Sequence, residues 1–474
     1  MRNVRFPSIK KLAQKILTKK VRQSIYYIHS HCAEIAPFGD VEEFIYEFVE
    51  HPTPALSGIA HHLPIISSRL TRSLWQAGIY IGSSVVDQVI FVRLKAGSGE
   101  CSVEEALAFL RDTGLHKGGM VVYPLHSFGI YSAGILKWIG KLSVSLELLD
   151  AGLVARPQTN SLDETIEFMN SAAQALGLGC SVPQDLVHHY SRSRPTKWLT
   201  HNPLLIVRCH TFSGTYYENQ EFLVLKLQFA TALLFMMAAF QHGIVKKSAG
   251  ALFSSRTVNN FQTLDIHHYF LLERKPGRKK HFDLRCVPMH VAPADLAELS
   301  DVNIEIVPQL WLRRQPIVKR IALALRAVED GYVKHSLLAK RSSVRSRIYQ
   351  KLYNALAYFR RSFHVSADKG AAIVNLAVAF EVLLVDFYAP GISERVPQHL
   401  SLALRNVKGQ GSFTAEVQKL YIARSEAVHT AEIEQEVDMG IARQAFVHAF
   451  IAITQRLPRL NTSAQEPIKE LLQS

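Results

Sequence analysis

The chain has 474 residues, 48% of them hydrophobic and 20% charged, with a mean hydropathy of +0.06. That balance excludes a mainly disordered chain, and the length favours two or three domains over a single core. The formal net charge of +14 points to a polyanionic partner. Five scattered cysteines with no CxxC pair exclude a disulfide framework and a cysteine zinc site, so a reducing, cytoplasmic compartment is expected.

The N-terminal stretch "MRNVRFPSIKKLAQKILTKKVRQ" is basic but has no apolar run leading to a small-residue cleavage site, so it does not read as a secretory signal; a solvated basic face is the expected reading, with a transit peptide or a membrane-surface helix as the alternatives. "VVDQVIFVRLKAGSGECSVEEALAFLRDTG" (85–114) reads as strand, glycine loop and helix, with Ser102 and Glu105 spaced as a capping box. Ser161 and Glu164 repeat that start signal in "TNSLDETIEFMNSAAQALGL" (159–178). The apolar segment 222–240 is interrupted by Lys226 and Gln228 and falls short of the roughly 20 residues a bilayer requires, so it reads as a buried helix and no membrane span is expected. "HHYFLLERKPGRKKHFDLRCVPM" (267–289) reads as two strands around a Pro-Gly turn. Residues 1–308 are therefore expected to be an α+β region, with room for two subdomains.

Most of the charge excess is concentrated between Arg274 and Arg361, which holds 19 Lys/Arg against 7 Asp/Glu. Within it, Arg278, Lys279 and Lys280 are candidate nucleic-acid contacts at the hairpin tip, where long-range steering would draw in phosphates; the alternative is a solvated charged turn. "AGSGECS" lacks the Gly-Lys-Ser/Thr ending of a phosphate loop and the full GxGxxG series. The histidines of "HSHC" (29–32) and the pairs His61/His62, His188/His189 and His267/His268 form no complete ligand set at recognisable spacing. No metal and no cofactor is expected.

From residue 309 the pattern changes to helices with short connections: a connecting helix over 309–330, then a helical domain over 331–474. Apolar residues Ile348, Leu352, Leu356 and Phe359 mark an amphipathic helix over 347–363, while 368–388 is apolar nearly all round and should be central. Helices over 394–407, 414–429 and 439–457 complete an all-α, up-and-down bundle of four or five helices. In and just before "LYIARSEAVH" (420–429), Val417, Leu420, Tyr421, Ala427 and Val428 suit a buried face, but Arg424 and His429 do not. Five residues apart, these two project about 140° apart on a regular helix, so one straight face cannot present both.

"LYIARSEAVH" resembles the Arg-x4–6-His signature of HEPN domains, in the Apea-like branch, whose pattern runs approximately Tyr-x-x-Arg-Ser-x-x-Val-His; Tyr421, Arg424, Ser425, Val428 and His429 match it. "AIVNLAVAFEVLLVD" (372–386) is similar to the family's second helix, in which a Glu, here Glu381, follows an apolar run. The resemblance covers about residues 331–465. Thr430 stands where many relatives carry glycine, and Ser425 where many catalytic members carry Asn or Asp.

The resemblance implies a metal-independent endoribonuclease at a homodimer interface, with Arg424 and His429 catalytic and Tyr421, Ser425 and Glu381 in support. The effector would serve antiviral defence or toxin-type growth arrest, with RNA as substrate, an N-terminal region that senses or restrains, and an antitoxin or sensor partner that no motif identifies. The chemistry is self-consistent: a histidine near neutral pKa can take the proton of an RNA 2′-hydroxyl, and an arginine fork can hold the adjacent phosphate. The competing reading is a non-catalytic HEPN module for dimerisation and RNA or nucleotide binding.

Overall fold

The computed structural model of the chain describes residues 6–124, 128–130, 146–148, 152–156, 159, 161–193, 199–200, 202–209, 220–240, 268–274, 281–288, 304–306, 315–339, 342–363, 369–387, 391–429 and 432–473. It is an α+β protein in which helices dominate and one antiparallel sheet lies in the middle of the chain.

Residues 6–117 are helical throughout: α1 (Ile9–Ile16), α2 (Lys19–Ser30), α3 (Cys32–Ile35), α4 (Val41–Glu50), α5 (Pro54–Gln76), α6 (Ser83–Lys95) and α7 (Cys101–Asp112), followed by a 3₁₀ turn at Leu115–Lys117. Their starts follow local chemistry. The Thr53 hydroxyl accepts from the Leu56 amide ahead of Pro54 at the first helical position, and Asp40 accepts from Glu43 N at 2.9 Å. These helices close on a core of their own that includes Ile25, Phe44, Ile66, Leu70, Phe91 and Leu107.

Two sequence expectations fail here. Residues 85–95, read as a strand from their β-branched content, form helix α6, because Val85, Val86, Val89, Ile90 and Leu94 recur on a wide helical face and are buried together. Ser102 does not cap α7. It lies fully buried inside the first turn, its hydroxyl donating to Arg93 O at 3.3 Å, while Glu105 accepts from Ser98 Oγ at 3.0 Å. Packing against α6, rather than capping, sets where α7 begins.

The strands are β1 (Gly119–Pro124), β2 (Phe128–Ile130), β3 (Leu146–Leu148), β4 (Leu153–Arg156), β5 (Leu204–Cys209), β6 (His268–Glu273), β7 (Asp283–Pro288) and β8 (Ile304–Ile306). Six of them form an antiparallel sheet in the order β3-β4-β5-β1-β6-β7; β2 and β8 make a separate parallel pair. The hairpin expected over 267–289 is present as β6 and β7, with Phe270 opposite Cys286; its tip, with Arg278, Lys279 and Lys280, lies outside the described residues. Gly119 is required where it stands, since a Cβ would collide with the Leu272 carbonyl of β6.

Alternation along the strands gives each face its own partner. Met120, Val122, Ile206 and Phe270 bury against α8 (Leu162–Ala175) and α9 (Gln184–Ser193), and Val121, Tyr123, Leu205 and Leu271 join the core that holds α10 (Gln220–Ala239). Ser161 does cap α8, accepting from Glu164 N at 3.1 Å as its sequence predicts.

Helix α10 is the buried segment read from 222–240, and among the described residues no helix is long and apolar enough to cross a membrane. It lies between the sheet and the C-terminal helices: α11 (Gln315–Tyr332), α12 (Val344–Arg361), α13 (Lys369–Leu384), α14 (Ile392–Ala403), α15 (Gln410–His429), α16 (Met439–Arg456) and α17 (Pro467–Gln473). One continuous core joins the sheet face, α10 and these helices, with Phe446 stacked on Phe359 at 4.5 Å and edge-on to Phe380 at 5.6 Å. Buried cations fasten the end of α12: the Arg360 guanidinium donates to Gln228 O at 3.2 Å, and Arg443 donates to Ser362 Oγ at 3.3 Å and to the Ser362 carbonyl. These bonds satisfy polar groups that burial would otherwise leave stranded.

Candidate functional site

Helix α15 packs against α13, α14 and α16, and that packing divides its side chains. Val417, Leu420, Tyr421 and Ala423 are buried; Ile422, Ser425, Val428 and His429 are exposed. Val428 thus departs from the buried face expected for it. Tyr421 stands level with Ala377 and Glu381 of α13, which ends at Leu384, so the last turn of α15 runs past its packing partner.

The inward side chains converge. The Tyr421 hydroxyl donates to Ala377 O at 3.2 Å, and Arg424 Nη2 lies 3.4 Å from Glu381 Oε1. The pairing is incomplete: neither Glu381 Oε1 nor Arg424 Nε, both shielded from solvent, has a hydrogen-bond partner among the described residues. Burial pushes the Glu381 carboxyl above its ordinary range, and the Arg424 charge pulls it part of the way back. Burial, and next the Glu381 charge, hold the Tyr421 phenol far above its ordinary value, so it remains a donor.

The structure therefore brings together Arg424, Tyr421 and Glu381, and leaves Ser425 and His429 outside that cluster. His429 is the last residue of α15, exposed, with no hydrogen-bond or ion-pair partner among the described residues. The angular separation of Arg424 and His429 read from the sequence thus appears as an inward guanidinium and an outward imidazole.

Four supporting residues escaped the sequence reading. Glu426 accepts from Glu434 N at 3.1 Å and Gln435 N at 2.9 Å, fixing the chain after the helix. Buried Glu416 accepts from Asp438 N at 2.6 Å, at the start of α16. Lys351 donates to the Val385 carbonyl and to Asp386 O at 3.2 Å, and His399 Nδ1 meets Leu384 O at 2.8 Å, so the carbonyls that end the Glu381 helix are capped. The polar residues themselves were visible in the sequence, but no local spacing names the partner each one takes.

Of the histidines singled out above, His31 stacks on Tyr27 at 4.4 Å, His62 Nδ1 meets Ser24 Oγ at 3.1 Å and His188 Nε2 meets Asp163 at 3.0 Å, while His267 lies outside the described residues. Among the described residues no group of three or more His, Cys, Asp or Glu is placed to hold a metal ion. Comparison with family models, curated proteins and solved structures returns no match.

Proposed function

We propose that the chain is a metal-independent endoribonuclease, an effector of antiviral defence or toxin-type growth arrest, with HEPN-like chemistry in its C-terminal bundle. The observation that carries this reading is the Arg424 guanidinium, held beside Glu381 on a side chain that is still 31% exposed, on a helix that ends in an exposed, unpartnered His429. The guanidinium has donor capacity for a phosphate, and the imidazole has access to an RNA 2′-hydroxyl. In this mechanism His429 accepts the 2′-hydroxyl proton, the 2′-oxygen attacks the neighbouring phosphorus, Arg424 opposes the charge growing on the phosphate oxygens, and a second copy's imidazole protonates the leaving 5′-oxygen. Exposed Ile422 and Val428 on the same two turns support coverage of this helix by a second copy of the chain.

A second reading, a non-catalytic module for dimerisation and RNA or nucleotide binding, is favoured by the same ion pair, since an arginine engaged by a half-buried carboxylate has a structural role already. Incubating the purified full chain with single-stranded RNA in EDTA separates the two. The proposal expects shortened RNA, and an analogue 2′-deoxy at the scissile nucleotide that is bound but not cut. RNA retained intact establishes the binding module instead, and cleavage restricted to added divalent cation overturns the metal-independent chemistry.

A further inference from the structure

A cavity of about 850 Å³ opens where the first helical unit, the sheet and helices α10 and α11 meet. Its walls come from segments far apart in the chain: Lys15 and the stretch Trp75–Gly78 with Tyr80, then Lys117 and Arg208, then α10 and α11, and finally the π-helical turn Val333–Leu337. None of these residues belongs to the Arg424 cluster.

The charge on the walls is unbalanced. Lys15, Lys117, Arg208, Lys226, Arg326 and Lys334 line the cavity, against Glu329 and Asp330. Both acids are engaged: Lys226 Nζ lies 2.5 Å from Glu329, and Arg326 lies 3.9 Å from Asp330. Arg208 forks onto the Lys117 carbonyl at 3.1 and 2.8 Å, bracing the 3₁₀ turn that carries Lys117. Lys15, Lys117 and Lys334 have no ion-pair partner among the described residues, so four cations remain uncompensated around one concavity, a geometry that focuses positive potential. The floor is apolar, with Phe229, Leu233 and Leu325, and Trp75, Tyr80 and His335 supply flat faces at the walls. The His335 ring is itself held in place, stacked on Tyr349 at 5.4 Å, and a Cβ at Gly331 would overlap that same Tyr349 ring.

We infer that this cavity binds a phosphorylated small molecule with a flat ring, of the nucleotide class. The volume lies within the range of ligand clefts, the cations provide for two or more phosphates, and the aromatic faces with the apolar floor provide for the base. The site is built by three parts of the chain, so an occupant ties the first helices to the sheet and to α11. Through the turn after α11 it also bears on α12, which packs against the helix carrying Glu381. The inference stands apart from the ribonuclease proposal and is read by binding alone.

Thermal melting and calorimetric titration of the full chain with ATP, GTP, adenosine and inorganic tripolyphosphate test it. At least one nucleotide should raise the melting temperature saturably, adenosine should fail at the same concentration, and tripolyphosphate should bind more weakly than the nucleotide. The Lys117→Glu/Lys334→Glu variant should weaken nucleotide binding by roughly tenfold or more, while Lys369→Glu/Lys408→Glu, exposed and outside the cavity lining, should not. An unshifted melt with every nucleotide overturns the inference, as does an equal loss in both variants. Tripolyphosphate binding as tightly as ATP removes the ring from the assignment, and displacement of bound nucleotide by a short single-stranded RNA reassigns the cavity to RNA.

Discussion

His429→Ala is expected to lower the rate of RNA cleavage by roughly 10²–10⁴-fold, the range of a lost general base or acid, and to leave melting and dimerisation unchanged. The second half of that expectation follows from the position of the residue. The imidazole is exposed at the last position of α15 and holds no partner among the described residues, so alanine removes chemistry without removing packing. Arg424→Ala is expected to lower the rate by roughly 10²–10³-fold through lost stabilisation of the phosphate in the transition state. It also strips the charge partner from half-buried Glu381, so a stability loss accompanies the rate loss. The double variant Arg424→Ala/Glu381→Gln resolves these effects: neutralising the carboxyl should restore stability and not activity. Single-turnover rates and melting curves on the four proteins measure both quantities. Wild-type rates in both single variants would make the helix end purely structural.

The second large effect is a loss of stability in acid traced to His448. Its ring lies edge-on to Phe240 at 5.4 Å and tilted against Phe413 at 5.4 Å, and its Nδ1 is buried with no hydrogen-bond partner among the described residues. Burial, then the Arg320 charge, lower its pKa from 6.5 to about 4. The folded protein therefore binds this proton less readily than the unfolded chain does. The contribution is fully present above pH 6.5 and is lost as the pH falls from there toward about 4, reaching about 3 kcal/mol once both states are protonated. His448→Gln removes the titration, so denaturant midpoints measured from pH 7.5 to 4 should fall less steeply for the variant than for the wild type. Parallel profiles would show that this imidazole protonates without opposing the fold.

How far the sequence could be read depended on whether the deciding interaction was local. The Ser161 cap, the β6–β7 hairpin and helices α12 to α16 rest on spacings within a few residues or on periods of burial along one segment, and each is where its pattern puts it. Residues 85–95 show the opposite case. Their valines and isoleucine favour a strand in isolation, but burial against α5 and α7 selects the helix, and an isolated segment carries no record of those neighbours. At the candidate site, the resemblance named Glu381, Tyr421 and Arg424, and the structure brings these three side chains together. The grip of Glu426 on the chain beyond the helix, and the cations converging from Lys15 to Lys334, arise only once distant segments meet. The basic tip at Arg278, Lys279 and Lys280 remains a proposal about RNA contact, with those residues outside the described ones.

The measurement that bears most directly on the ribonuclease proposal is the chemical nature of the ends left on RNA cut by the wild-type chain in EDTA. Attack by the substrate's own 2′-hydroxyl, with His429 taking the proton and Arg424 on the phosphate, breaks the bond to the 5′-oxygen and leaves a 2′,3′-cyclic phosphate on one fragment and a 5′-hydroxyl on the other. Mass spectrometry of the fragments should find those ends, and should find them cut by the same large factor as the rate with His429→Ala. Fragments ending in 3′-hydroxyl and 5′-phosphate, or cyclic-phosphate ends that persist undiminished in His429→Ala, would contradict it.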